Sequence, residues 1–336
     1  MPPLVIVDLH MTVRCLGSLH WPAYAGSMLR GVYGRALRQL LCTTHRNHCQ
    51  GCPEQLQCGY AKQFEAAPTA ALQQSRYQQA PSAYLVLPPL RHEGKLSAGD
   101  TFDWTLRLIN PSRDALAASA AACQRALDYG FGSAHVLCEL VSLKTHEHDM
   151  TLTEAPQEQI SLEFVTPLRL QRQKQLIGAD ELTAPLLIEA LLKRADLVMR
   201  QHSDQNQGWP NFDHLWAEAK NTAFSEKRLH WQDWHRASLR RKQGMTLGGL
   251  MGHVSLTGNW QAFWPLLRFG ELIHVGKNTV FGLGRFKVNF EQLDLARSSS
   301  EFDQLFENDQ NQHAPLQTTD CIDVSTMQQS VDCPVN

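Results

Sequence analysis

Long apolar runs are missing from this chain: no segment approaches the roughly 18 consecutive apolar residues of a membrane helix, so no membrane association is expected. A basic n-region is missing from the start, where Asp8 interrupts the short run from Leu4, and no secretory signal is read there. The chain has no His-Glu-x-x-His, no paired carboxylates, no Ser/His/Asp arrangement, and no acidic cluster suited to magnesium before residue 290. It also lacks G-x-x-x-x-G-K-S/T and a G-x-G-x-x-G that opens a helix, which excludes the common nucleotide loops. What remains is a soluble globular composition, 43% hydrophobic and 19% charged. The length of 336 residues suggests about two domains. An odd count of nine cysteines, four of them clustered, fits a reducing cytoplasm better than a disulfide scaffold.

The formal net charge of −2 conceals an asymmetry. From Glu291 onward stand nine acidic residues and one basic one, so that part carries −8 and residues 1–290 carry +6 by difference. A modestly basic body leaves nucleic acid open as a partner without demanding it.

Periodicity gives the organisation. Leu4–Val13 alternates as a strand, Ala25–Leu41 has helical spacing, and strands follow at Ala83–Leu87 and Thr101–Ile109. Pro111-Ser112-Arg113-Asp114 introduces an alanine-rich helix, and His135–Leu143 reads as a strand. The second half repeats the order: strand Ile160–Leu170, helix Ala184–Met199, an inserted helix near Phe212–Phe224, strands Leu229–Leu239 and Leu247–Leu256, helix Gln261–Ile273 and strand Phe281–Phe290. A duplicated β-α-β-β-α-β order predicts an α+β protein of two tandem ferredoxin-like, RRM-like domains. The boundaries are 1–148, carrying a cysteine-rich insertion at 42–58, and 156–292, carrying a C-terminal glycine-rich loop; 293–336 is an acidic tail expected to be disordered. RNA-recognition modules of this topology bind single strands on an open sheet face.

Four groups of residues could carry chemistry. His274-Val275-Gly276-Lys277 runs on to Phe281-Gly282-Leu283-Gly284-Arg285, a glycine-rich loop with cations between a helix and a strand. Glycines admit a phosphate close to backbone N–H groups and the cations complement its charge; a helix cap followed by a bulged strand is the bland alternative. Cys42, Cys49, Cys52 and Cys58 lie within seventeen residues and could close a structural zinc site, with reduced thiols as the alternative. His20, His45 and His48 bracket a helix carrying Arg30, Arg35 and Arg38, and histidine can exchange protons with a ribose hydroxyl or a leaving oxygen. Lys227, Arg228, His230, Trp231, Trp234, His235, Arg236, Arg240, Arg241 and Lys242 interleave cations with tryptophan, as phosphate contact plus base stacking requires, or as a half-buried strand would also show.

Together these motifs resemble the CRISPR-associated endoribonucleases that process precursor crRNA, within the RAMP superfamily. The likeness is carried by Gly26-Ser27-Met28-Leu29-Arg30-Gly31-Val32-Tyr33-Gly34 leading to the cysteines and Phe64-Glu65; by Arg236-Ala237-Ser238-Leu239-Arg240-Arg241 followed by Leu247-Gly248-Gly249-Leu250-Met251-Gly252; and by the glycine-rich loop. Ala237 and Arg241 depart from the usual second motif, and the acidic tail has no counterpart. The resemblance implies cleavage of CRISPR repeat RNA without metal or other catalytic cofactor: the 2′-hydroxyl attacks the adjacent phosphate, leaving 2′,3′-cyclic phosphate and 5′-hydroxyl ends.

The resemblance places the catalytic histidine near the first helix and so supports His20, His45 and His48 as a set, without choosing among them. His20 is favoured as base because it precedes that helix. Lys277 is the candidate charge stabiliser, Arg30 the phosphate-positioning cation. Arg236, Arg240, Arg241, His274, Gly276, Lys277, Gly282, Gly284 and Arg285 are the remaining candidate RNA contacts. Repeat RNA or crRNA is the implied partner, with CRISPR effector-complex subunits beside it. The alternative is a non-catalytic RAMP-type subunit that only binds crRNA.

Overall fold

Two runs of four strands and two helices build the molecule. The first comprises β1 (Ile6–Cys15), α1 (Gly26–Leu41), β2 (Tyr84–Leu87), β3 (Thr101–Ile109), α2 (Arg113–Ala126) and β4 (Cys138–Glu147). The second comprises β5 (Ile160–Leu168), α3 (Ala184–His202), β6 (Thr222–Gln232), β7 (Gly249–Gly258), α4 (Trp264–Ile273) and β8 (Phe286–Phe290). The computed structural model describes residues 4–73, 80–90, 93–149, 151, 153–233, 235–236 and 245–290. The sheets have the equivalent orders β2-β3-β1-β4 and β6-β7-β5-β8, all pairs antiparallel. This is the split β-α-β arrangement twice over, the tandem ferredoxin-like fold that the duplicated order predicts.

Local chemistry accounts for the elements. Along β1, Leu9, Met11, Val13 and Cys15 enter the first core, while Asp8, His10, Thr12 and Arg14 take the alternate positions of the other face. Ser112 caps α2, its side chain accepting from Ala115 N at 3.2 Å, and Thr183 caps α3 by accepting from Leu186 N at 3.4 Å. The first core lies between the inner face of the first sheet and the α1/α2 pair. The second joins α3, α4 and the second sheet to Leu4, Ile6, Leu85, Leu87 and Ile109 of the first half. Part of the outer face of the first sheet is therefore packed, and residues 1–291 form one compact unit.

Polar contacts reinforce that packing at the ends of two helices. Thr69 Oγ1 donates to Arg200 O at 2.9 Å, and Asn110 Nδ2 donates to His202 O at 2.8 Å, both at the C-terminal end of α3. Arg107 Nη1 donates to Leu272 O at 3.1 Å, in the last turn of α4. Carbonyls that lack intrahelical donors are thus satisfied by the other half of the chain. Arg107 is itself held by Asp8, with Nε 2.7 Å from Oδ1 and Nη2 2.8 Å from Oδ2, and His148 Nε2 is 2.8 Å from Oδ2. Burial would raise the Asp8 carboxyl, but hydrogen bonds from Arg107 and His148 hold it well below the usual carboxylate range.

His202 is half-buried with Nε2 2.9 Å from Pro81 O, and loss of water around the ring pushes its pKa down to about 4. Its folded value lies below the roughly 6.5 of an unfolded histidine, so the unfolded chain binds more protons between those limits. Stability is therefore full above about pH 6.5 and falls as the pH drops from there towards 4, by about 2–3 kcal/mol from this group. Urea unfolding at pH 7.5 and 4.5 measures it; a His202→Gln variant should show a flatter profile, and identical profiles would sink the assignment.

The structure shifts several expected boundaries. Thr222–Phe224 already belongs to β6, so the inserted helix is Phe212–Glu218. The last strand starts at Phe286, because Thr279–Phe281 forms a 3-10 turn. A short ladder, Leu19–Trp21 against Gly94–Leu96, was not expected and carries His20 opposite Lys95. The acidic tail at 293–336 lies outside the described residues, as do Trp234, Arg240, Arg241 and Lys242; Arg236 is described in its backbone alone, paired with Met245.

Candidate nucleic-acid interface

The glycine-rich loop faces inward. The helix α4 ends at His274, whose backbone N–H donates to Gly270 O at 2.9 Å and whose φ is +58°. Its ring is 0% exposed, and burial first, then the charges of Arg107, Arg285 and Arg194, push its pKa well below the usual histidine value. The enclosed imidazole presents no surface of its own. Gly282 and Gly284 are buried with φ of +88° and +70°, their amides donating to Thr279 O at 2.8 Å and Pro167 O at 3.0 Å. A Cβ at Gly284 would overlap the Val275 carbonyl, and one at Gly282 would stand 2.5 Å from Val86 O. These two glycines serve close backbone packing, and their amides are taken up within the protein. Gly276 likewise approaches the Arg169 backbone, with which it forms an isolated bridge. Lys277, by contrast, is anchored by its amide to Arg169 O at 2.8 Å and leaves its side chain exposed.

The loop docks on the start of α1. Tyr24 donates its hydroxyl to Phe281 O, and Gly26 lies so close that a Cβ would overlap that same oxygen. Arg30, half-buried, is placed with its guanidinium carbon 4.3 Å from the Phe64 ring centroid and 5.3 Å from that of Phe281. No carboxylate pairs with Arg30 among the described residues, and its Nε is buried without a hydrogen-bond partner. Arg35 and Arg38 lie over Tyr129 and Tyr60, at 5.8 and 5.6 Å. Arg285, half-buried, follows the loop and donates its amide to Thr166 Oγ1 at 2.9 Å.

The histidines occupy separate places. His20 is 75% exposed in its side chain, with Nε2 3.2 Å from Glu93 Oε1. His45 and His48 are exposed on the cysteine loop, His45 at φ +52°. Among the described residues no hydrogen bond or ion pair joins any of the three to Lys277 or Arg30.

The thiols do not converge either. Cys52 Sγ lies 3.3 Å from Thr44 Oγ1 and Cys42 Sγ 4.0 Å from it, whereas Cys58 Sγ turns to Leu41 O at 3.8 Å. Cys49 is buried beside Glu65, and burial together with that charge pushes its thiol up to about 12. No group of three His, Cys, Asp or Glu side chains among the described residues has metal-holding geometry, so Cys42, Cys49, Cys52 and Cys58 do not fit the expected zinc site as they stand.

On β6, Lys227 points its ammonium at the loop before α3, donating to Ala179 O at 2.9 Å and Leu182 O at 3.3 Å, and so is structural. Arg228 pairs with Glu226 at 2.6 Å. Trp231 is 43% exposed, its Nε1 donating to Asp233 Oδ1 at 2.8 Å, beside Gly248, whose carbonyl accepts from Arg169. The outer face of the second sheet carries Glu226, Arg228, His253 and Glu163, with no Phe, Tyr or Trp ring among its described residues. Sequence reasoning missed Glu93, Arg169 and the pair of rings around Arg30. None has a local pattern; each becomes relevant only when distant segments meet.

Comparisons with known proteins agree with this geometry. A family model described as CRISPR-associated endoribonuclease Cas6 matches residues 162–286, and one described as an N-terminal domain matches residues 4–164. No curated protein matches the sequence. Among solved structures, a Cas6 product complex is similar at TM-score 0.54 and 15% identity, over 84% of this chain and 99% of that one. A Thermus thermophilus Cas6 is similar at TM-score 0.51 and 13% identity, over 86% and 100%. A partial Cas6-RT-Cas1–Cas2 complex gives TM-score 0.53 and 11% identity, over 88% of this chain and 48% of that one. At such identities the structures speak for the fold alone, and the endoribonuclease family match lies on the second half of that fold, residues 162–286.

Proposed function

We propose that the protein cuts CRISPR repeat RNA in precursor crRNA by a metal-independent transesterification, and that His20 is the base. The observation that carries this reading is the exposed His20 imidazole held at Nε2 by Glu93, 3.2 Å away. An Nε2–H donated to the carboxylate leaves the Nδ1 lone pair free to take a proton. That proton comes from the ribose 2′-hydroxyl; O2′ bonds to phosphorus, the P–O5′ bond breaks, and O5′ leaves with a proton from an acid. His45 and His48, both exposed, are the imidazoles available for that second transfer. Lys277 supplies a mobile cation for the charged phosphorane and Arg30 a fixed one for an adjacent phosphate. The chemistry available is thus proton transfer and charge stabilisation about a nucleophile positioned within the substrate.

The test is repeat RNA incubated with the protein in excess EDTA, beside an RNA carrying a 2′-deoxy substitution at the nucleotide 5′ of the cut. One cut that survives EDTA, disappears in the deoxy substrate and leaves a cyclic phosphate is the expected result. Cleavage of the deoxy RNA, or its loss in EDTA, would rule out the mechanism. Tight binding with no cut would put the chain with the crRNA-binding RAMP subunits instead.

A further inference from the structure

We infer that Phe64 and Phe281 are positioning residues for Arg30, one ring from each half of the molecule closing on the guanidinium and holding it for a phosphate of the bound RNA. The inference rests on the reading of Arg30 as a phosphate ligand. A half-buried cation without a carboxylate partner is costly unless something else stabilises it. Here the stabilising groups are aromatic faces at 4.3 and 5.3 Å, whose electron-rich surfaces attract a cation without occupying its N–H donors. A carboxylate in their place would compete with the phosphate; two phenyl rings do not.

Both rings are themselves held. Phe64 stacks on Tyr84, with centroids 5.1 Å apart and planes at 13°, and on Tyr60, at 5.3 Å and 20°. It fills the slot left by Gly34 on α1, where a Cβ would overlap it. Phe281 is fixed through its carbonyl, which accepts from Tyr24 above Gly26. The short helix leaving the cysteine loop and the glycine-rich loop, 217 residues apart at their two phenylalanines, therefore converge on one cation. On this account the glycine-rich loop acts on RNA through Phe281, while its buried glycines make the docking possible.

The experiment measures affinity of the full chain for repeat RNAs that each carry one uncharged methylphosphonate linkage. Wild-type protein should show one linkage where removing the charge weakens binding, and Arg30→Ala should abolish that sensitivity. Phe64→Leu and Phe281→Leu keep apolar bulk and the Phe281 carbonyl, so each should weaken binding about three- to ten-fold. Neither should weaken it further in an Arg30→Ala background, and Phe281→Tyr should restore it. Leucine variants that bind like wild type while Arg30→Ala does not would overturn the inference and leave the Arg30 reading standing. Losses that add to Arg30→Ala, or that Phe281→Tyr fails to restore, would show the rings acting only on stability and overturn it too. Wild-type affinity in Arg30→Ala would remove the underlying reading itself.

Discussion

Gly26→Ala is expected to lower the melting temperature and weaken RNA binding, although alanine suits a helix better than glycine by about 1 kcal/mol. Gly26 opens α1, and a Cβ there would overlap Phe281 O, with Tyr24 Cε1 at 2.8 Å and the Phe281 carbonyl carbon at 3.0 Å. Two of those atoms are backbone, so the glycine-rich loop must lift rather than repack. Lifting it breaks the Tyr24 hydrogen bond and removes one ring from Arg30. Overpacking of this kind costs about 1–3 kcal/mol and the lost hydrogen bond about 1 more; less the propensity gain, the net change is destabilising by about 1–3 kcal/mol. Gly31 supplies the control, since it is exposed on the same helix and a Cβ there meets nothing within 4 Å. Gly31→Ala should be neutral or stabilising. Equal stability of the two variants in thermal melts would show that the loop does not dock on Gly26.

His20→Ala is expected to slow single-turnover cleavage by roughly a hundred- to ten-thousand-fold, the usual contribution of a general base, with RNA affinity changed only a few-fold. The imidazole is exposed and carries no part of either core, so folding should be unaffected. Glu93→Gln should cost less, about ten-fold, because the amide still contacts the ring but can also donate to Nε2, so it no longer fixes the tautomer that leaves Nδ1 free. Single-turnover rates set beside RNA affinities separate the roles: loss of His20 should lower the first and spare the second. Full-speed cleavage by His20→Ala moves the assignment to His45 or His48, which the same assay tests singly.

Much of the fold was legible because periodicity is a local signal. The apolar alternation of Thr101–Ile109 and the helical spacing that ends at Leu41 reappear as β3 and α1 with little change. The glycine-rich loop was found for its composition, which left phosphate capture and a capped helix with a bulged strand both open. Composition registers that Gly282 and Gly284 permit close approach and is silent on what approaches; here it is Val86 and Val275, not a phosphate. His274 poses the same problem, since nothing in the sequence distinguishes an exposed helix-end imidazole from one at 0% exposure. Lys227 looked like part of a basic strand, but strand alternation turns its side chain to the helix side, where Ala179 and Leu182 offer carbonyls. Glu93 and Arg169 escaped notice because a single charged residue means little until another segment is folded beside it.

The helix-end contacts described for Arg107, Thr69 and Asn110 bear on how such a duplicated chain can evolve. Two copies of a module joined in tandem are ordinarily interchangeable parts. In this protein the later copy finishes its helices with donors written into the earlier one, and shares apolar side chains such as Leu85 and Ile109 with it. Each half has thereby become part of the other's interior, and the seam between them is inherited as a matched set. A graft of the second half from a distant homologue would carry its RNA-contacting residues across and leave their support behind.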